Sequence, residues 1–279
     1  MNDEEDAFVD AVKLIATDMD HTLLTEKGEL PPNFDHYICE LDRLGIYFAI
    51  ASGRPLYTLK TIFPDVQRQM ILIGDNGGTI SYRNKLIFKS LLAPSDYRSM
   101  IQFVEEKTDG IAIVCGLDSA FLASKYKRYQ DYLQTFYAQL TFVDQLDQLT
   151  CEADKLTAFF PQRDSKKYYE EVFKPEYGQH FSVTVGDVIW IDIMNRGINK
   201  GKAMKLLGRH LGIKAEQMMA FGDTYNDIEM LQAVYYSYIV ANADEDMQQY
   251  ANFRTDSNDH YGVVHIIDQV IHNHLRRQS

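Results

Sequence analysis

The chain of 279 residues has few cysteines, a single tryptophan and a deficit of positive charge. Cys39, Cys115 and Cys151 are the only cysteines, and no CxxC pair occurs. That count argues against a disulfide framework or a cysteine-held zinc and fits a reduced, cytoplasmic setting. The eight histidines show no HExxH spacing, which removes the commonest helical zinc signature. Lys and Arg number 28 against 40 Asp and Glu, a formal net charge of −12. Such a balance argues against general nucleic-acid binding, which needs a basic footprint, while leaving room for a local positive pocket. No apolar run approaches the length of a membrane-spanning helix. The opening "MNDEEDAF" is acidic where a secretion signal would be basic. The expectation is a cytoplasmic protein with no nucleic-acid or membrane partner; monomer and homodimer both stay open.

Apolar residues make up 46% and aromatics 12%, enough for a substantial core. There is no internal repeat and no low-complexity linker. "VKLIAT", "IYFAIA" and "MILIG" predict strands. "NFDHYICELDRLG" predicts a helix with Phe34, Tyr37, Ile38, Leu41 and Leu44 on one face and Gly45 as its stop. Pro55 suits the first turn of a second helix. This β-α-β-α-β order predicts a parallel sheet covered on both faces. "TISYRNKLIFKS" predicts a hairpin turning at Arg83, Asn84 and Lys85. Strand-like "IAIVC", "KLTAFF", "FSVTV" and "VIWIDIM" then mix with helix-like "PSDYRSMIQFVEEK" and "SKKYYEEVF". The alternating style returns with the helix "KGKAMKLLGRHLG", the strand "MMAFGD", the helix "NDIEMLQAV", the strand "YSYIVA" and a helical tail from Gly262. The fold class expected is α/β: a Rossmann-like, doubly wound core of residues 1–83 and 194–279, interrupted by an α+β domain of residues 84–193.

In open α/β sheets ligands bind at the carboxyl ends of strands, and the unusual residues gather there. The stretch "LIATDMDHTLL" ends an apolar run in Asp18 and Asp20. The second strand closes with Ser52-Gly53-Arg54, another with "FGDTYND", carrying Asp223, Asn226 and Asp227, and a later one with Ala241-Asn242-Ala243; Lys200 opens a helix beside them. Four carboxylates at one sheet edge repel: each pair at about 4 Å costs on the order of 4 kcal/mol at an effective dielectric of about 20. A cation relieves that, and hard oxygen donors with few protein ligands suit Mg²⁺. Asp18, Asp20, Asp223 and Asp227 are therefore the candidate metal residues.

Residues i and i+2 of an extended segment point the same way, so Asp18 and Asp20 can serve one small group. Asp18 is the candidate nucleophile, forming an aspartyl-phosphate, and Asp20 the general acid and base. Ser52, the Gly53 backbone N–H and Lys200 would hold phosphoryl oxygens, with Arg54 alongside as a substrate-binding residue. Each has an ordinary alternative. Ser52 could cap a helix, Lys200 could be one more solvated lysine, Asn76-Gly77-Gly78 reads as a tight turn, Asn242 could bond backbone, "SKYKRY" reads as a wet helix face, and Trp190 as core. It is the combination, in order, that points to phosphoryl transfer.

On "DMDHTLL", "ASGRP", "INKG", "GDTYND", "VANA" and "TDSNDHYGV" the chain resembles the haloacid dehalogenase superfamily, specifically the Cof-type sugar-phosphatase-like hydrolases. The resemblance spans nearly the whole chain, while the inserted part carries almost no recognisable motif. It implies a mobile cap, and Mg²⁺ held by the Asp18 carboxylate, the Asp20 carbonyl and Asp223 with Asp227 assisting. It implies phosphoryl contacts from Ser52, Lys200 and Asn226. It also implies hydrolysis of small phosphometabolites such as sugar phosphates, flavin mononucleotide or pyridoxal phosphate. Two positions depart from the family pattern. His21 stands where Gly is usual, and is expected to keep a right-handed turn while crowding the entrance; Gly78 replaces the usual Ala of Asn-Gly-Ala. The function expected is a Mg²⁺-dependent phosphatase of small phosphomonoesters. The alternatives are a phosphomutase, for which "SKYKRY" would be the second phosphate site, and a non-catalytic phosphometabolite-binding protein.

Overall fold

The computed structural model describes residues 12–278; the acidic opening segment, residues 1–11, lies outside them. Two sheets divide the described chain. The larger has the order β14-β13-β12-β1-β2-β3-β4-β5, and the smaller β10-β11-β9-β6-β7-β8. In the larger sheet, β1 (Leu14–Thr17) lies between β2 (Tyr47–Ala51) and β12 (Met218–Gly222), parallel to both. β3 (Met70–Gly74) extends one side, and β13 (Tyr236–Val240) and β14 (Phe253–Thr255) the other. The chain thus winds away from β1 in both directions, so the crevice at the carboxyl ends of β1 and β12 is the switch point where such sheets bind ligands.

These strands are apolar on both faces because both faces are covered. Helices α1 (Phe34–Arg43), α2 (Leu56–Ile62) and α6 (Gly262–Gln278) bury Phe34, Ile38, Leu41, Leu59, Val263 and Ile267 on one side. Helix α5 (Lys200–Leu211) buries Ala203, Met204 and Leu207 on the other. Each fully buried large side chain contributes roughly 1.5–3 kcal/mol. Gly45 (φ +74) and Gly212 (φ +69) follow α1 and α5 in the left-handed conformation that ends helices.

The hairpin expected at residue 83 forms, with Arg83 and Asn84 both at positive φ. Its second strand, β5 (Lys85–Lys89), pairs antiparallel with β4 (Thr79–Tyr82) and belongs to the larger sheet. The boundary drawn at residue 84 therefore cuts a hairpin that the ladder hydrogen bonds keep whole. The boundary at 193 likewise falls inside β11 (Trp190–Asn195). The crossings between the sheets lie near 90–93 and 196–199, where the Asn195 amide donates to Ser90 Oγ (3.0 Å) and to the Leu91 carbonyl (2.8 Å).

In the smaller sheet, β6 (Ile111–Gly116), β9 (Ala153–Phe159), β10 (Phe181–Asp187) and β11 occupy the stretches read as strands. β7 (Ala120–Ala123), β8 (Leu140–Val143) and β14 have no period-2 signal and went unread. One face of the sheet packs on α3 (Pro94–Lys107) and on α4, the helical run 165–177. The stretch Tyr169–Phe173 of α4 is a π turn. Pro175 follows; it lacks an N–H and would press on a carbonyl one turn back, and a π turn relieves both. The helix expected over "NDIEMLQAV" shrinks to a 3₁₀ turn, Tyr225–Asp227, and one α turn, Ile228–Leu231.

After β3 the backbone takes three successive positive φ values at Asp75, Asn76 and Gly77 (50°, 53° and 98°). Left-handed backbone costs a non-glycine residue roughly 1–2 kcal/mol. Backbone bonds from Asp75 N to the Arg54 carbonyl (3.0 Å) and Asn76 N to the Ser52 carbonyl (2.9 Å) hold the turn. A Cβ at Gly77 would stand 2.6 Å from the Asn199 carbonyl oxygen. Gly77→Ala is expected to lower unfolding free energy by more than about 1 kcal/mol. Urea unfolding measures it, and an unchanged midpoint would contradict the close approach.

Candidate active site

Asp18 follows β1 and Asp223 follows β12, and Asp18 N donates to the Phe221 carbonyl (2.9 Å), which continues the ladder one residue past the strand. The register pairs Thr17 with Phe221, so the two carboxylates leave the sheet side by side. Asp227 returns to the same point because the 3₁₀ turn folds "DTYND" back: its Oδ2 accepts the N–H groups of Asp223 (3.1 Å) and Thr224 (3.3 Å). A Cβ on Gly222 would lie 2.6 Å from Asp227 Cβ, so the close turn requires glycine there. Oxygens of Asp18, Asp223 and Asp227 lie within 4.8 Å of one another.

One ammonium sits beneath them. Lys200 is fully buried, and its Nζ donates to Asp18 Oδ1 and to Asp227 Oδ1 (2.7 Å). Burial pushes the Asp18 carboxyl up to about 7, against the pull of Lys200 and with help from Asp227 and Asp20. Burial beside Asp18 and Asp227 raises Asp223 as well, although Thr22 Oγ1 donates to it at 2.9 Å. Burial opposes the charge of Lys200, but Asp18 and Asp227 outweigh it and raise the lysine. The site holds more carboxyl groups than one lysine can balance if all are ionised. Their all-oxygen set could hold a hard divalent cation, and magnesium fits it.

Asp20 turns elsewhere. Arg54 Nε donates to its Oδ2 (2.9 Å) and a terminal nitrogen to its Oδ1 (2.6 Å), a two-pronged pair. A third Arg54 nitrogen donates to the Thr135 carbonyl of the smaller unit (2.8 Å), and the guanidinium lies 5.1 Å from the Phe136 ring centre. Arg54, expected to bind substrate, is therefore engaged by Asp20 and by the opposite wall. Ser52 is buried and its hydroxyl accepts the Arg54 N–H (3.0 Å), a turn contact. The side chains of Ser52 and Lys200 lie below the surface of the cavity, while Gly53, Arg54 and Asn226 line it. The cavity measures about 190 Å³ and lies between the two sheets.

His21 departs from expectation: its φ is +61°, left-handed rather than right-handed. The chain reverses sharply here, with the Leu23 and Leu24 N–H groups both on the Met19 carbonyl, and histidine tolerates this region better than most residues. Asn242 holds the turn by donating to the His21 carbonyl (2.7 Å), so it bonds backbone.

Sequence reading missed a second buried cation. Lys155 of β9 donates to the Gly53 carbonyl (2.6 Å) and pairs with Asp75 (3.2 Å) and Asp192 of β11 (3.4 Å). Asp192 also accepts from Thr157 (2.6 Å) and Asn76 (2.7 Å), and Asn76 accepts from Asn226 (3.1 Å). The signal was present: Asp154 and Lys155 in "ADKLTAF" and Asp192 in "WIDIMN" are charges inside strands that are otherwise largely apolar. Trp190, read as core, is half-buried and lines the cavity with Phe136 and Tyr137.

With this geometry in hand, the comparisons define a class. The haloacid dehalogenase-like hydrolase model matches residues 15–267, and the chain belongs to that family. The 5-amino-6-(5-phospho-D-ribitylamino)uracil phosphatase of Escherichia coli K12 is 27% identical over 94% of this chain and 97% of its own. The HMP-PP phosphatase of Serratia proteamaculans is 25% identical over 83% of this chain and 84% of its own. Among solved structures, SMU.1108c from Streptococcus mutans UA159 superposes with a TM-score of 0.88 at 32% identity, covering 94% of this chain and 99% of that one.

In the unfolded chain Asp18 titrates near 3.8 and in the fold at about 7. Between those values the folded form holds the extra proton, so this group's contribution to stability falls as pH rises from about 4 to about 7. In EDTA the melting temperature is expected to be lower at pH 8 than at pH 5, and Mg²⁺ to raise it most at pH 8. A profile in EDTA that climbs with pH would contradict the buried carboxylates. Lys155→Met leaves Asp75 and Asp192 buried without their cation and is expected to cost about 3–5 kcal/mol of stability by chemical denaturation. A loss below 1 kcal/mol would show that the pair is dispensable.

Proposed function

We propose that the protein is a cytoplasmic, Mg²⁺-dependent phosphatase that hydrolyses small phosphomonoesters through an aspartyl-phosphate on Asp18. The observation that carries this reading is the Asp18–Asp223–Asp227 cluster around Lys200, at the switch point of the sheet and open to a closed-in cavity. Asp18, Asp223 and Asp227 would hold the metal, with the Asp20 carbonyl beside them. When bound, Mg²⁺ supplies positive charge that lets a dianionic ester approach a carboxylate.

The chain's own groups do the rest. Asp18 attacks phosphorus as the ester P–O bond breaks, and Asp20 delivers a proton to the departing alkoxide. Water then attacks the aspartyl-phosphate, Asp20 takes its proton, and the bond from phosphorus to Asp18 breaks to release phosphate. Lys200 offsets part of the cost of ionising the buried Asp18. The two-pronged pair with Arg54 engages both Asp20 oxygens and fixes the orientation of its carboxyl group. Gly53 offers a backbone N–H and Asn226 an amide at the cavity wall. The smaller unit acts as a cap: its Thr135 carbonyl and Phe136 ring meet Arg54, so closure over substrate and orientation of Asp20 occur together.

The phosphomutase alternative gains no support. The "SKYKRY" stretch forms a 3₁₀ helix, Ser124–Tyr129, whose Lys125 pairs with Glu105 (2.8 Å) away from the cavity. Nor does the sensor alternative, since the acidic set is complete. No helix among the described residues is long and apolar enough to cross a membrane, and the three cysteines are free thiols.

Phosphate release from a mixed panel of phosphometabolites, with Mg²⁺ and with EDTA, tests the reading. Asp18→Asn is expected to abolish turnover while leaving the melt cooperative, and Asp20→Asn to reduce kcat by roughly 10²–10⁴. Undiminished release by Asp18→Asn would refute the proposed nucleophile.

A further inference from the structure

The seam between the two units buries a pair of carboxyl groups that phosphoryl transfer does not use. Asp75 follows β3 in the larger unit, and Asp154 lies in β9 of the smaller one. Both are buried, and the Asp154 side chain is within hydrogen-bond reach of the Asp75 carboxyl. No donor meets either Asp154 oxygen, or Asp75 Oδ1, in hydrogen-bond geometry. Two ionised carboxylates so placed would repel in a medium that screens poorly. One proton between them turns that repulsion into a hydrogen bond.

Both chains are bent to make the contact. β9 pairs Lys155 with Cys115 but Ala153 with Gly116, so Asp154 is the extra residue of a bulge. Strict alternation would send Asp154 and Lys155 to opposite faces. The bulge re-aims the aspartate, and both residues meet the larger unit. Asp75 opens the turn of three successive positive φ values. Gly78 closes that turn, and a Cβ there would lie 2.9 Å from Asp154 Oδ2. The turn thus leaves the space that the carboxyl fills.

The neighbours of the pair come from four elements. Lys155 of β9 pairs with Asp75 (3.2 Å) and with Asp192 of β11 (3.4 Å). Burial opposes the charge of Lys155, but its acidic neighbours, Asp192 foremost, outweigh it and raise the lysine. Asp192 is also bonded by Thr157 and Asn76. Tyr57 of α2, Cys115 of β6 and Tyr137 face the same charges, and burial raises all three, so they stay neutral. Burial raises Asp154 well above the usual carboxylate range, and Asp75 adds to it. Burial raises Asp75 to about 6, against the pull of Lys155.

We propose that Asp154 keeps one proton and donates it to Asp75 across the seam, and that loss of this proton to solvent base as pH rises sets two like charges face to face and opens the cap. No other bond changes in that step. It leaves two carboxylates against a lysine whose charge Asp192 already shares, and opening admits water and counter-ions to them.

Both carboxyls titrate higher in the fold than their ordinary value of 3.8. The pair's contribution to stability is therefore full below that value and is lost as pH rises through about 6 and beyond. Asp154→Asn supplies an amide that donates to Asp75 at every pH. Trp190, the only tryptophan, lines the cavity between cap and core and reports opening without turnover. In the wild type, acrylamide quenching of Trp190 is expected to climb about twofold from pH 5 to pH 8.5, and in Asp154→Asn to climb clearly less. Asp18, Asp20, His21, Asp187 and Asp223, which also line the cavity, are common to both proteins, so the difference belongs to Asp154. The variant is expected to melt within about 1 °C of wild type at pH 5 and at least about 3 °C higher at pH 8.5. Asp154→Ala removes the proton and its carrier together. It should lose the same pH-dependent part of both profiles, even where its stability is lower throughout. Parallel profiles for wild type and both variants, or wild-type quenching that is flat with pH, would overturn the proposal. A melting gain at pH 8.5 with no difference in quenching would overturn it too, since the proton would then bear on stability and not on closure.

Discussion

The site is built on the burial of two carboxylates, Asp18 and Asp227, on one ammonium, with Asp223 beside them. Asp18, Asp223 and Asp227 reach a single point from two strand ends and a 3₁₀ turn, and Lys200 meets them from the first residue of a helix. A lysine at that helical position opposes the helix dipole, and an aspartate at the end of an all-apolar strand opposes burial. Neither is a stable local choice. Each is tolerated because the other neutralises part of its charge, and the pairing holds only if β1, β12 and α5 stand in their observed order. The site therefore depends on the fold, and the fold is under tension at the site. Taking Asp20 and Arg54 into account, four carboxyl groups face two cations, so ionising all four would leave an excess of two negative charges. That is the charge of one divalent ion, and it makes sense of a cluster that would otherwise be self-repelling.

A second buried ammonium couples the two units. Lys155 belongs to the smaller sheet, yet its closest partner is the Gly53 carbonyl of the larger one. The peptide it grips lies in the Ser52-Gly53-Arg54 turn, whose other groups hold Asp20 and line the cavity. Arg54 makes the reverse connection, from the larger unit to the Thr135 carbonyl. Two cations of opposite origin thus cross the seam, each bonded to a carbonyl and to carboxylates. Movement of the smaller unit would release both, and with them the orientation of Asp20. The crossing segments are short and tied by Asn195 to Ser90 and Leu91.

Most of the larger unit was legible in the sequence because its elements obey local rules: apolar runs for two-sided burial, Gly45 and Gly212 at helix stops, Asn84 in the hairpin turn. The acidic cluster was legible for the opposite reason. Asp18 and Asp223 violate the pattern of the strands they follow, and violations of this sort mark function. What escaped reading depends on tertiary partners. β7, β8 and β14 are short strands whose pairing comes from neighbours. Pro175 was visible, but the π turn it induces required the helix around it. Lys155 and Asp192 broke the strand pattern as clearly as Asp18 did. Their meaning lay in each other and in Gly53, residues far apart in the chain, whereas Asp18 and Asp20 sit two places apart.

The division of labour between the units follows from the same physics. Phosphoryl transfer asks for fixed charges in fixed places, and the larger sheet supplies them at its switch point with little room to vary. Choosing a leaving group asks for shape and a few contacts, and the smaller sheet presents one face for it. Alternation along β11 places Asp192 and Trp190 on that face, the first bonded to Lys155 and Asn76 and the second lining the cavity. Trp190 lines the cavity, while Asp192 accepts from Lys155, Thr157 and Asn76. The period-2 geometry of a single β-strand thus sets a ring and a hydrogen-bonded carboxylate on the same cavity wall.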